Sequence, residues 1–327
     1  MKALTFSRYG GPEVVKLTEI ARPEITGTEV LVKVISGAVT TGDWRLRAAA
    51  FPGAFWLPGR LMFGLFRPRK RVLGNDFAGQ VVAVGAEVSR FSIGDKVFGG
   101  AMLGAHAEYL AMPADGAIGH MPDGLTFEQA AALPFGGLTA LEFLRDHARL
   151  KPGQNILILG ASGGVGCYAV QIAHAMGAKV TAVCSGDNLD FVTQLGADRV
   201  IDYTKDDFTR DKARYDVVLE CGGFSTFGQC RPLLKRRGLF VPLTSGGSAV
   251  FLALFTRLFP GRRVIFGISG GSPEIVETLR KLVQDGQVRP VIDRRFDMSQ
   301  AAQAYRFVEG RHRAGAVVLN IHSALAA

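Results

Sequence analysis

The stretch NILILGASGGVGCYAVQIA, residues 155–173, constrains this chain more than any other. An apolar strand runs into a glycine-rich turn, and the turn opens an apolar helix. That strand–turn–helix context is what distinguishes a dinucleotide fingerprint from a chance run of glycines. The spacing fits if Ala161 stands where the first glycine of the fingerprint would be: Ala161-x-Gly163-x-x-Gly166. Gly163 lets the backbone approach a pyrophosphate, and Gly166 lets the helix lie close against the strand. The helix start supplies free N–H groups and the positive end of its dipole. Ala161, Ser162, Gly163, Gly164, Val165 and Gly166 are therefore candidate cofactor residues. The plain alternative is a glycine turn with no ligand.

Around this turn the chain has two grammars. Residues 1–123 hold β-branched runs broken by glycine, among them EVLVKVISGAV (29–39), AGQVVAVG (78–85) and DKVFGG (95–100). GAHAEYLAMPA (104–114) reads as a further strand. The pattern predicts a compact, mostly antiparallel β domain. From residue 125 the grammar changes. TFEQAAALPFGGLTALEFLRDHA (126–148) is helical in composition, and from Asn155 apolar strands alternate with helices. FGQCRPLLKRRG reads as a helix, followed by the strand LFVPLTSG. Continuous apolar strands between helices mark a parallel sheet covered on both faces. The tail, with helices at 274–286 and 299–309 and the strand AGAVVLNI, is expected to return to the first domain. The expected architecture is α/β, with residues 124–269 as the dinucleotide domain and 1–123 with 270–327 as the β-rich domain.

Composition excludes several classes. Hydrophobic residues make up 48% and charged residues 20%, which argues for a folded globular chain. The net charge is +9, which permits an anionic partner. No run of basic residues interleaved with aromatics suggests a nucleic-acid groove. The four cysteines (167, 184, 221 and 230) form no CxxC pair, so neither a disulfide framework nor a short metal knuckle is expected. The first residues, MKALTFSRYGGPEVVKL, contain no apolar signal core, and no uninterrupted apolar stretch is long enough to span a bilayer. A cytoplasmic location is expected.

The choice of nicotinamide cofactor depends on the tip of the second strand of the parallel sheet. A carboxylate there would take the ribose hydroxyls and favour NAD. KVTAVCS ends instead in Cys184-Ser185. Ser185, Asn188 and Tyr203 could donate to a 2′-phosphate, whereas Asp187 would repel one. NADPH is expected, with NADH as the second choice. A helix-capping role for Ser185 and Asn188 is the structural alternative.

With that loop in place, the chain resembles the medium-chain dehydrogenase/reductase superfamily along essentially its whole length. The resemblance is carried by GDWRLR (42–47), LGNDFAGQVVAVG (73–85), GDKVFG (94–99), AEYLAMPA (107–114), AALPFGGLTAL (131–141), GASGGVG (160–166), LGADRVIDY (195–203) and DVVLECGG (216–223). Within the superfamily it is similar to the zinc-free quinone oxidoreductase and enoyl-reductase branch. The resemblance implies a GroES-like β domain, a Rossmann domain, a cofactor in the cleft between them, and a homodimer. In zinc alcohol dehydrogenases of the superfamily a Gly-His-Glu stands where this chain has Gly74-Asn75-Asp76, and a cysteine falls where it has Thr40. An amide and an alcohol do not replace imidazole and thiolate as zinc ligands. No metal is expected.

Without a Lewis acid, hydride addition to an activated double bond is favoured over oxidation of a simple alcohol. Charge then moves to an oxygen that hydrogen-bond donors can hold. Thr40, Asp43 and Asn75 are the catalytic candidates. Thr40 and Asn75 read as donors to the carbonyl, and Asp43 as an acceptor that holds its loop. Thr139, beside the nicotinamide by resemblance, joins Gly222 and Ser245 in the cofactor set. His106 reads as a core or surface histidine. The expected substrate is a small apolar carbonyl or quinone. Two alternatives are a zinc-independent alcohol or carbonyl dehydrogenase, and a cofactor-binding scaffold with a structural or membrane-surface role. Two segments stand apart, FPGAFWLPGRLMFGLFRPRKRV (51–72) and FLALFTRLFPGRRV (251–264), both apolar, aromatic and basic. Packing against each other or across a dimer, a substrate lid and weak peripheral membrane contact are the three readings of these segments.

Overall fold

The computed structural model describes residues 1–244, 247–310 and 313–322, with only the backbone of Ala54, Gly247 and Ser248. The chain divides into two compact units, one of residues 1–51, 56–138 and 271–327 and the other of 52–55 and 139–270. The sequence suggests a change of domain at residue 124, yet 124–138 packs with the first unit. The reason is local close packing. A Cβ on Gly137 would lie 2.7 Å from Leu279 Cδ2, so this segment lies close against the helix Pro273–Gln284.

In the first unit a seven-stranded sheet follows the order Ile292–Asp297, Ala316–Asn320, Glu29–Val39, Asp76–Val84, Lys96–Gly100, Ile118–His120, and Tyr109–Pro113 pairs beside Glu29–Val39. All pairings are antiparallel except that between Ile292–Asp297 and Ala316–Asn320. Strand Glu29–Val39 is buried along nearly its whole length. It packs into a core with Phe77, Val97, Ile118, Tyr305 and Val317. The strand read at 104–114 is shorter, Tyr109–Pro113, and Ala107 instead makes an isolated bridge to Ala3.

The second unit is a six-stranded parallel sheet, ordered Arg199–Asp202, Lys179–Cys184, Asn155–Leu159, Tyr215–Glu220, Leu234–Pro242, Arg263–Val264. This is the doubly wound Rossmann pattern. Leu157, Leu159, Val218 and Phe240 form part of its core with Leu233 and Val264.

Two local readings change. The segment 227–238 is not one helix. Helix Phe227–Cys230 gives way to a 3-10 turn, Arg231–Leu233, and the strand begins at Leu234. Pro232 lacks the N–H that a continuing helix would need. The register then slips: Tyr215 pairs with Leu234 but Val217 with Leu239, so Lys235–Gly238 bulges from the sheet. The segment 126–148 is also broken. A short α turn, Phe127–Ala131, is followed by π-helical Pro134–Leu138, α-helical Thr139–Glu142 and π-helical Phe143–His147. Wide turns of this kind are rare and frequently occur at functional sites. In segment 51–72, a 3-10 turn Gly53–Phe55 precedes helix Trp56–Phe63, which has no buried residue. Phe55 stacks on Phe266 at 5.7 Å.

Candidate active site

The glycine turn has the geometry of a phosphate cradle. Gly160 takes φ +75°, in the left-handed region that glycine adopts freely. The N–H groups of Gly160 and Ala161 both donate to the Val183 carbonyl, at 3.1 and 3.0 Å, tying the turn to the neighbouring strand. A Cβ at Gly166 would lie 2.1 Å from the Gly160 carbonyl oxygen, so the first turn of helix Gly166–Ala175 admits no side chain there. At Gly163 a Cβ would meet only the Gly160 oxygen, at 3.4 Å, with open space beyond. Ala161 is buried, while Ser162, Gly163, Gly164 and Val165 are half-buried along the rim. The residues fit a dinucleotide pyrophosphate: the Gly160, Ala161 and Gly163 N–H groups brace the turn, and the start of the helix Gly166–Ala175 adjoins the space left open at Gly163.

Other cofactor candidates lie within the same unit. Asn188 Nδ2 donates to Ser185 Oγ at 2.9 Å, and neither side chain caps a helix. Tyr203 is exposed at the end of the next strand. Thr139, half-buried, starts its helix. The Gly222 N–H donates to Glu220, as do those of Gly223 and Phe224. Burial pushes the Glu220 carboxyl up, and these N–H groups oppose the shift. Ser245 lies outside the described residues. Two neighbours are invisible to the fingerprint. Asp202 pairs in register with Cys184, and the space a Gly186 Cβ would fill is 2.7 Å from Asp202 Oδ2. The Thr204 hydroxyl and N–H hold its carboxyl below the ordinary value. Lys205 stands 3.8 Å from Asp202 with its side chain 77% exposed. Only the pairing of two parallel strands brings these groups to Ser185.

In the first unit, Thr40 and Asp43 form a capping box at the start of helix Thr41–Ala48. The Thr40 N–H and hydroxyl both donate to Asp43 Oδ2 at 2.7 Å, and the Asp43 N–H donates back to Thr40 Oγ1 at 3.2 Å. The Thr40 proton is thus engaged within the loop. Asn75 Nδ2 donates to Asp76 Oδ1 at 2.8 Å, and Asp76 Oδ2 accepts from the Phe135 N–H at 2.8 Å. One Asn75 N–H therefore remains beyond the bond to Asp76. Asp76 is not among the residues singled out from the sequence, yet it anchors Asn75 to the segment at 135. Burial pushes the Asp76 carboxyl well above its ordinary value; the Phe135 bond opposes this and the Asp43 charge adds to it. Burial also raises Asp43, against the pull of His106 and Thr40.

His106 is a fully buried member of the same cluster. Its Nε2 stands 3.0 Å from the Ala38 carbonyl oxygen, which only a donor can satisfy. Nδ1 is then an acceptor for the Tyr305 hydroxyl at 3.2 Å. Burial holds its pKa below the ordinary value. Gly74, at φ +101°, makes room for it: a Cβ there would sit 2.2 Å from the His106 backbone nitrogen and 2.5 Å from its ring Cδ2. No local sequence signal joins residues 106 and 305.

The side chains of this corner do not make up a zinc ligand set. Thr40 and Asn75 offer a bonded alcohol and an amide, and both ring nitrogens of His106 are engaged. Among the described residues no three His, Cys, Asp or Glu side chains come together as a ligand set. The donors do not fit zinc.

Comparison with known proteins agrees with this architecture. Residues 26–123 match the family model for the alcohol dehydrogenase GroES-like domain. Residues 195–319 match that for the zinc-binding dehydrogenase family. The chain is 32% identical to the quinone-oxidoreductase QR1, chloroplastic, of Triphysaria versicolor, across 98% of each protein. It is 34% identical to the NADPH-dependent alkenal/one oxidoreductase, chloroplastic, of Arabidopsis thaliana, across 98% of this chain and 79% of that one. The structure of the quinone oxidoreductase from Coxiella burnetii superposes with a TM-score of 0.86 at 32% identity, covering 98% of this chain and 99% of that one. The chain belongs to the medium-chain dehydrogenase/reductase superfamily, in its quinone oxidoreductase branch, and combines a GroES-like domain with a Rossmann domain.

Proposed function

We propose that this protein is an NADPH-dependent, metal-independent reductase of quinones or α,β-unsaturated carbonyls. The observation that carries the proposal is the Asn75 amide, which Asp76 orients and which keeps one N–H that can donate to an oxyanion, in a corner whose side chains do not make a zinc ligand set. Relatives named quinone oxidoreductase and alkenal/one oxidoreductase support the same class.

The turn at 160–166 would hold a reduced nicotinamide cofactor, which would supply hydride for the activated double bond or quinone. The backbone N–H groups at the start of helix Gly166–Ala175 would hold its pyrophosphate. Ser185, Asn188 and Tyr203, with Lys205 close by, favour the 2′-phosphate, and Thr139, Gly222 and Ser245 complete the proposed set. Asn75 is oriented by Asp76 and offers its remaining N–H to the oxygen on which charge develops. Thr40 and Asp43 keep their loop in place. The same reading includes a homodimer joined through edge strands of the two Rossmann sheets, which light scattering would test.

The activity is tested by following NADPH oxidation with a quinone, an enone, an aldehyde and no acceptor. The first two should turn over, and the last two should not. Tight NADPH binding without oxidation by any acceptor would overturn the enzyme reading. Preference for the aldehyde would favour a carbonyl reductase.

A further inference from the structure

We infer that the Rossmann unit carries a docking surface for an anionic lipid bilayer, built by the helix Gly247–Arg257 and the bulge Lys235–Gly238. Between Glu220 and Glu274 the chain has no acidic residue and seven basic ones, which carry seven of its net nine positive charges. A balanced surface would interleave both signs, so this stretch stands apart.

The fold concentrates these charges beside exposed apolar side chains. The register slip at Lys235–Gly238 turns Lys235, Arg236 and Arg237 to solvent. Along the helix, Ala249 is buried and Leu252 and Ala253 pack toward the core, whereas Phe251, Leu254 and Phe255 are 67%, 64% and 49% exposed. Leu258 and Phe259 continue that face at 77% and 56%. Phe255 lies 5.0 Å from the Phe259 ring and 6.1 Å from that of Phe251, so the aromatics form one connected row. Between helix and bulge runs a groove of about 900 Å³, with Phe227, Leu252 and Phe255 in its lining and Arg231, Arg236 and Arg262 among its basic residues. Asp216 pairs with Lys235 at 2.7 Å.

Charge selects the occupant. A second copy meeting this face by two-fold symmetry would set cation against cation. A soluble polyanion would answer the arginines but leave five large apolar side chains in water. An anionic bilayer answers both, because headgroups meet Lys and Arg while Phe and Leu enter the acyl boundary. No helix among the described residues is long and apolar enough to cross a membrane, so the contact is peripheral. Segment 44–75 repeats this chemistry independently: it has no acid, and Leu57, Leu61, Met62 and Phe66 are exposed. The inference stands whether or not the proposed activity does.

The test is co-sedimentation of the full chain with vesicles of phosphatidylcholine alone or mixed with phosphatidylglycerol. Binding is expected only to the mixed vesicles, and salt should weaken it. The double variant Arg236→Glu/Arg237→Glu should bind roughly tenfold or more weakly. Leu254→Ser/Leu258→Ser should lose the binding that survives salt. Both variants should keep the wild-type melting temperature and NADPH affinity. No binding to mixed vesicles at low salt would overturn the proposal, and so would undiminished binding by both variants. Tighter binding to a single-stranded oligonucleotide, unaffected by the leucine changes, would reassign the face to nucleic acid. An oligomer dissolved by the arginine variant, without vesicle binding, would reassign it to a second copy.

Discussion

The turn at 160–166 keeps side chains out, whereas the corner at 40–43, 74–76 and 106 packs polar side chains in. Both depend on a glycine under strong steric constraint. Gly166 would put a Cβ 2.1 Å from a backbone oxygen of its own turn, and Gly74 would put one 2.2 Å from the His106 backbone nitrogen. In the turn, the glycine lets the start of the helix adjoin the space left open at Gly163. In the corner, it admits a histidine that holds two distant segments together. The difference teaches that one region is specialised for binding and the other for placing a donor next to buried charge. Each can therefore be disabled separately.

The most severe break is Gly166→Val. The side chain has nowhere to go, and overpacking of this kind costs about 3 kcal/mol. Thermal unfolding should report that loss, and fluorescence titration should show that NADPH no longer binds. Asn75→Ala tests the opposite region. Loss of one oxyanion donor should lower kcat about 100-fold while the Kd for NADPH stays unchanged. A weakened Kd would show that the two regions are not separable in this way.

Gly74→Ala comes next. It adds strain at φ +101° and a clash with His106, for a loss of about 2 kcal/mol in chemical denaturation. Its effect on NADPH affinity should be small, in contrast to that of Gly166→Val.

The pH dependence sharpens the comparison further. Burial raises the folded-state pKa of Asp76 and of Asp43 above the unfolded carboxylate value. The native state then holds more protons than the unfolded chain as pH rises from near 4. The stability these two groups contribute is full below that value and is lost as pH climbs through their folded pKa values. Asp76→Asn should flatten this decline, as measured by urea unfolding across the pH range; an unchanged slope would remove Asp76 from the account. The smallest effect is expected for Ser185→Ala: about fivefold weaker NADPH binding with NADH unchanged, consistent with one hydrogen bond of about 1 kcal/mol. Equal loss for both cofactors would place Ser185 elsewhere in the site.

Legibility in the sequence followed the range of the interactions. Strand Glu29–Val39 has the same ends that its β-branched run suggests, and the helix read at 274–286 spans Pro273–Gln284. Both are dictated by periodicity and by caps a few residues away. The helix expected at 227–238 breaks because Pro232 and a register slip against Tyr215–Glu220 intervene, and the slip belongs to the sheet. Asp76 is visible as a residue but not as a partner of Phe135, and Asp202 reaches Ser185–Gly186 only through strand pairing.

By itself the sequence determined the glycine turn, the alternation of strands and helices, and the residue types at the corner, because short-range sterics and hydrophobic period act within a few residues. It also determined that the corner has an amide and an alcohol where zinc enzymes of the superfamily have zinc ligands. The tertiary structure alone decided that Thr40 spends its proton on Asp43, that His106 meets Tyr305, and that a register slip turns Lys235, Arg236 and Arg237 to solvent near an exposed apolar helix. Those outcomes depend on which distant segments share a buried space. Burial, which sets both the cost of a charge and the worth of a hydrogen bond, is a property of the packed chain and not of its order.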